Sequence, residues 1–199
     1  VEQAYSILNA LAGWGGKEAT TPRSIAVLKS RASEDWWQVR RRYGEDADPM
    51  DQTRGYLYEK WLQELLLSGG YPYDMYFLDQ PGSYSDELSE YDLIVLPFPY
   101  SVSSEAFGAV RDAAASGSRV LILGRQGETD EWGVPRDKPL FAGMIAEQAV
   151  QYVADDVTEM AHSIGFNRRI RKTIDDLLGE AKPLFFDARG QDVEAALLE

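Results

Sequence analysis

The chain has 199 residues, 44% of them apolar, and a formal net charge of −13. That length suits one α/β domain with extra segments and a sizeable core, while a surface so acidic repels phosphate backbones and anionic bilayers, so neither nucleic acid nor membrane is an expected partner. The absence of cysteine excludes disulfides, thiolate metal sites and cysteine nucleophiles, and the single histidine, His162, excludes a His-pair metal motif while leaving a Ser-His-Asp triad formally open.

In chain order, "VEQAYSILNALAGW" (1–14) reads as a short amphipathic helix with Ala4, Ile7, Leu8 and Leu11 on one face, and 15–23 as a linker. "SIAVLKS" (24–30) is the first strand. Residues 31–54 are polar and charge-rich, with a turn or mobile loop at "GEDADP" (44–49), and Trp36 and Trp37 stand out among them. "GYLYEKWLQELLLSGG" (55–70) is a helix with Leu57, Trp61 and Leu65 on one face, with Tyr58 and Trp61 as core residues and Gly69-Gly70 as its stop. "YDMYFLD" (73–79) is a second strand, 81–91 a loop, and "DLIVLPFPY" (92–100) a strand buried on both faces and ended by Pro97 and Pro99.

The next helix spans 101–117, capped by Ser103 or Ser104 and closed by Gly117, and "SRVLILG" (118–124) is the fourth strand. Residues 144–162 read either as a strand then a helix or as one helix. "NRRIRKTIDDLLGE" (167–180) is a helix carrying Ile170, Ile174, Leu177 and Leu178, and "PLFFDARG" (183–190) is an apolar run. Helices alternating with short apolar strands imply an α/β fold, a flavodoxin-like three-layer sandwich around a mostly parallel sheet. The expected division is an N-terminal helix and linker (1–23), the α/β domain (24–182) and a strand-like tail (183–199). The opening Val and the closing "DVEAALLE" read as the ends of an excised domain. No signal peptide or membrane-spanning run is seen; the cytoplasm is the favoured compartment.

In this architecture ligands sit at the C-terminal ends of the strands. The expected linings are "KSRAS" (29–33), "LDQPGS" (78–83), "PFPYS" (97–101) and "GRQGETD" (124–130). No Asp ends the central strand as in a phosphoacceptor domain. There is no GxGxxG, no P-loop lysine and no G-x-S-x-G elbow, and "SRAS" matches a flavin phosphate loop only weakly. Neither a cofactor nor a metal is expected. His162 reads as a surface or packing residue, and the pairs Glu128/Asp130 and Asp155/Asp156 as solvated carboxylates. Trp36, Trp37, Tyr84, Tyr100 and Trp132 offer stacking surfaces for sugars, against the commoner reading of core or interface packing. The candidate crevice or interface residues are Arg31, Ser33, Trp36, Trp37, Pro97, Tyr100, Arg125, Gln126, Glu128, Asp130 and Trp132.

Three stretches carry a resemblance: "IAVLKS" followed by "SEDWW"; "LLLSGGYPYD"; and "YDLIVLPFPYSVSSEAFGAVRDAAASGSRVLILGRQGETDEWG" (91–133). The region from Ser24 to about Gly133 resembles the class I glutamine amidotransferase-like fold, and more narrowly the middle, trimerisation domain of family-42 beta-galactosidases. "PLFFDARGQDVEAALLE" is similar to the segment that leads into a following β-sandwich in such enzymes. The resemblance covers about two thirds of the chain and carries no catalytic residue. Where amidotransferases hold their cysteine, near 124–127, this chain has Arg125 and Gln126. What it implies is a noncatalytic accessory domain of a multidomain glycoside hydrolase that builds a homo-oligomer, a trimer in that family, contacts neighbouring domains of the same chain and shapes the active-site cavity. The long acidic 31–54 insert departs from the family. The alternative reading is a small-ligand or carbohydrate-binding module using the strand C-terminal crevice.

Overall fold

The computed structural model describes residues 24–43, 54–145, 150–154 and 163–179. The readings placed on 1–23, 44–53, 155–162 (His162 and Asp155/Asp156 included) and 180–199 lie outside the described residues, as does the side chain of Trp37.

Five strands form one parallel sheet: β1 (Ile25–Lys29), β2 (Tyr73–Phe77), β3 (Leu93–Pro97), β4 (Arg119–Gly124) and β5 (Val150–Ala154). Their spatial order is β2-β1-β3-β4-β5, the order of a flavodoxin-like sandwich. The central strands are apolar on both faces because both are covered. Ile25, Val27, Leu93, Val95, Leu121 and Leu123 point to one layer, and Ala26, Leu28, Ile94, Leu96, Val120 and Ile122 to the other.

The first layer holds α1 (Arg31–Tyr43), α2 (Arg54–Ser68) and α4 (Ser163–Leu178). The second holds α3 (Ser104–Ala115), helped by 3₁₀ turns at Pro81–Ser83, Leu88–Glu90 and Leu140–Gly143. Of the two serines proposed as caps for α3, Ser103 does the work: its side chain accepts from the Ala106 amide at 3.1 Å. Ile170, Ile174 and Leu178 of α4 are buried as their spacing requires, with Leu177 at the margin.

Three readings are corrected. Residues 31–43, read from sequence only as a polar, charge-rich stretch, form a helix. Among its described side chains this helix buries Ser33 and half-buries Trp36, and its start is well made. The Ser30 hydroxyl accepts from the Ser33 amide at 3.0 Å, and Asp79 Oδ2 accepts from the Arg31 amide at 2.6 Å. Residues 81–91 are not a plain loop but two 3₁₀ turns that bury Pro81, Tyr84 and Leu88. On α2 the buried face is Tyr58, Leu62, Leu65 and Leu66, one position round from the expected one; Leu57 and Trp61 are only partly covered.

Gly124 ends β4 at φ +79°, and a Cβ there would stand 2.8 Å from the Phe98 ring. Gly117, after α3, has φ +114° but open space around it. Gly124→Ala therefore adds overpacking to backbone strain and is expected to cost about 3 kcal/mol or more. Gly117→Ala meets only the backbone cost, about 1–2 kcal/mol. Urea denaturation of the two variants checks the ranking; equal losses would mean that the Gly124 turn is not packed as described.

Candidate functional site

The sheet reverses its strand order between β1 and β3, so the ligand crevice of this architecture should open between Ser30 and Phe98. The chain's own side chains close it. Ser101 has no exposed surface. Its amide donates to Ser33 Oγ at 2.9 Å, and its carbonyl accepts from the Ser30 and Ser33 hydroxyls, each at 3.1 Å. Its own hydroxyl pairs with Thr129 Oγ1 at 2.7 Å. The N-terminus of α1, an anion site in flavin- or phosphate-binding relatives of this architecture, is already occupied by a carboxylate. Asp79 takes the Arg31 and Ala32 amides and accepts from the Ser30 hydroxyl at 3.2 Å.

Below this lid lies a charged cluster. Lys29 Nζ reaches both carboxylate oxygens of Glu59, at 2.7 and 2.8 Å, and Glu34 at 3.3 Å; Gln63 also donates to Glu59. Burial alone would lower the Lys29 pKa, but the hydrogen bond to Glu59 and the charges of Glu34 and Glu59 outweigh it and hold it above the ordinary lysine value. Burial pushes Glu34 up. The pull of Lys29 opposes this, but the hydrogen bond and charge of Glu59 add to the rise, so the net direction is upward. The void between Lys29, Ser30, Ser33, Glu34, Glu59, Pro97 and Phe98 is about 10 Å³, at the lower limit for one water and far too small for a ligand.

The turn from Arg125 to Glu128 after β4 carries no cysteine, serine or threonine. Arg125 lies over the Phe98 ring at 5.5 Å and within 3.9 Å of Glu128. The Gln126 amide donates to Glu128 Oε2. The strand-like stretch beyond is fastened to the β3–α3 connection: the Gly127 amide donates to the Pro99 carbonyl, Thr129 to Tyr100, and Val102 to Thr129. The one non-glycine residue in the left-handed region, among those described, is Phe98, at φ 54°. It occupies the strand-end position where such strain often presents a reactive group. Here it presents a buried phenyl ring that packs against Tyr58.

The candidate residues thus divide. Ser33 belongs to the hydroxyl lid. Pro97 and Tyr100 are buried core, and so is Tyr84, whose hydroxyl donates to the Leu78 carbonyl; neither tyrosine offers a stacking face. Arg125, Gln126 and Glu128 structure the loop. Asp130 braces its tip, its Oδ1 accepting from the Trp132 and Val134 amides, each at 2.9 Å. Arg31, Trp36 and Trp132 meet in a separate groove at the rim. Sequence reading missed Glu59, and it placed Asp79 in a lining without giving it a role. Glu59 had a signal, an acid set between the core positions Tyr58 and Leu62; Asp79 had another, an acid at a strand end facing the helix start after β1.

A comparison with protein-family models finds no match, and no curated protein matches either. Among the described residues no group of His, Asp or Glu could hold a metal ion, and no helix is long and apolar enough to cross a membrane.

Two outcomes follow for the charged cluster. Lys29→Met leaves Glu59 and Glu34 facing each other with little solvent and is expected to cost about 3 kcal/mol in urea denaturation. Because the folded-state pKa of Glu34 is raised, its contribution to stability is complete below the ordinary value of 4.5 and is lost as pH rises through the folded value. Glu34→Gln should therefore gain stability relative to the parent chain between pH 4 and pH 7. A relative loss over that interval contradicts the assigned direction.

Proposed function

We propose that this chain is a noncatalytic accessory domain of a multidomain glycoside hydrolase, serving oligomer assembly and shaping of the active-site cavity. The observation that carries the first half is the closed switch point. Hydroxyls and carboxylates of the chain itself fill the place where this architecture binds its ligand, and the strand-end hydroxyls of Ser30, Ser33, Ser101 and Thr129 are engaged with one another or with backbone. The likeness of 91–133 to the middle domain of family-42 beta-galactosidases supplies the parent class.

Assembly has a candidate surface. Tyr56, Gln63 and Leu67 fall along one outer stripe of α2, with Tyr56 57% and Leu67 70% exposed. Met75, on the edge strand β2, lies beside Gln63 and is also exposed. Apolar exposure next to a strand edge that no described strand pairs suits a second copy of the chain better than it suits solvent.

Size-exclusion chromatography with light scattering tests this over a range of concentrations. The expected result is an oligomer, a trimer by the family likeness, that Leu67→Asp dissociates to a monomer which still unfolds cooperatively, together with no hydrolysis of aryl galactosides. A monomer at every concentration, or a hydrolytic activity abolished by a point change in this chain, contradicts the reading.

A further inference from the structure

With the switch point closed, binding chemistry is left at the rim. A groove of about 370 Å³, within the range of small-ligand clefts, runs between the start of α1, the end of β2 and the loop after β4. Its walls include Trp36, Phe77 and Trp132, interleaved with Arg31, Asp35, Asp79, Gln80 and Glu131. We propose that this groove binds one neutral sugar ring, stacked on the Trp132 indole and hydrogen-bonded by Arg31, Asp35, Gln80 and Glu131.

Trp132 is 74% exposed, the most exposed large apolar side chain among the described residues. Its backbone is nonetheless tightly fixed. Asp130 holds the amides on either side of Gly133, and Gly133 turns the chain at φ +79°. The ring of Trp36 fills the space where a side chain at Gly133 would stand, with ring carbons 2.6–2.9 Å from such a Cβ. The Trp36 indole N–H donates to the Glu131 carbonyl at 3.0 Å, tying α1 to the loop. A wide aromatic face held out on a braced turn is a preorganised platform, so little ordering entropy opposes binding.

The polar lining selects the ligand. The side chains of Asp35, Gln80 and Glu131 make no hydrogen bond to one another or to other described residues, and Arg31 is steadied over Phe77 at 4.2 Å. Carboxylates accept, while guanidinium and amide groups donate. A ring of vicinal hydroxyls, each both donor and acceptor, satisfies that mixture, and its C–H face suits an indole. An anionic ligand would meet Asp35 and Glu131. A compact cation would meet the Arg31 guanidinium. The inference does not depend on the assembly role, because oligomer mass and sugar binding are read separately.

The test uses the whole chain, titrated with methyl β-galactoside, methyl β-glucoside and methyl β-xyloside and followed by ligand-observed NMR and tryptophan fluorescence. At least one sugar should bind saturably with Kd of about 1 mM, weakened about tenfold or more by Trp132→Ala and largely restored by Trp132→Tyr. Asp35→Ala, a second exposed position, should weaken it as well. Unchanged melting temperatures show that both variants fold. No response to any of the three sugars up to about 50 mM overturns the proposal. So does binding that survives Trp132→Ala, or saturable binding of tetramethylammonium in place of the sugars.

Discussion

Ser101 sits where the ends of β1, β3 and the post-β4 loop converge, and every polar atom it owns is held by protein. Its amide and carbonyl are bound by Ser33 and Ser30, and its hydroxyl by Thr129. A buried polar group left unpaired costs about 1–3 kcal/mol, so these bonds act together: loosening one strand end exposes the others. The same contacts fix Ser30, which starts α1, and Thr129, whose amide and carbonyl bind Tyr100 and Val102. The lid therefore closes the crevice and ties the start of α1 to the loop after β4.

This constraint moves function outward. Beneath the lid, Lys29 is shared by the Glu34 and Glu59 carboxylates around a space that takes no more than a water. Such a cluster adds specificity of packing more than net stability. Above the lid, the loop from Arg125 to Trp132 is stiff because its backbone is bound to the β3–α3 connection, and Asp130 carries that stiffness to the tip. Among the described residues, the aromatic rim and the outer stripe of α2 are two of the surfaces left exposed.

The fold was largely legible. Short runs such as "LIVLP" and "RVLILG" are apolar throughout because both faces of a parallel sheet are covered, and the intervening helix periods placed α2, α3 and α4. The helix over 31–43 was not legible by period, because charged residues dominate that stretch. The edge strand β2 was found from its aromatic residues even though most of its side chains are partly exposed. The site was half legible: the four linings named from sequence do converge, through Ser30, Asp79, Ser101 and Thr129. That they would close on each other rather than on a ligand depends on distances of about 3 Å between serines some seventy residues apart, which no local pattern encodes. Hydrophobic period likewise separates Tyr58 from Tyr56, but it cannot tell a buried Tyr100 from an exposed Trp132 when both lie in loops.

The central claim is that the switch-point crevice is closed in the chain by itself. Hydrogen exchange of the Ser33 and Ser101 backbone amides, measured without ligand, tests it most directly. The account predicts that both exchange as slowly as the amides of the β3 and β4 core, through global unfolding alone. Exchange at the rate of exposed loops, or protection that arises only when inorganic phosphate or a flavin nucleotide is added, would contradict it and restore the crevice as a binding site.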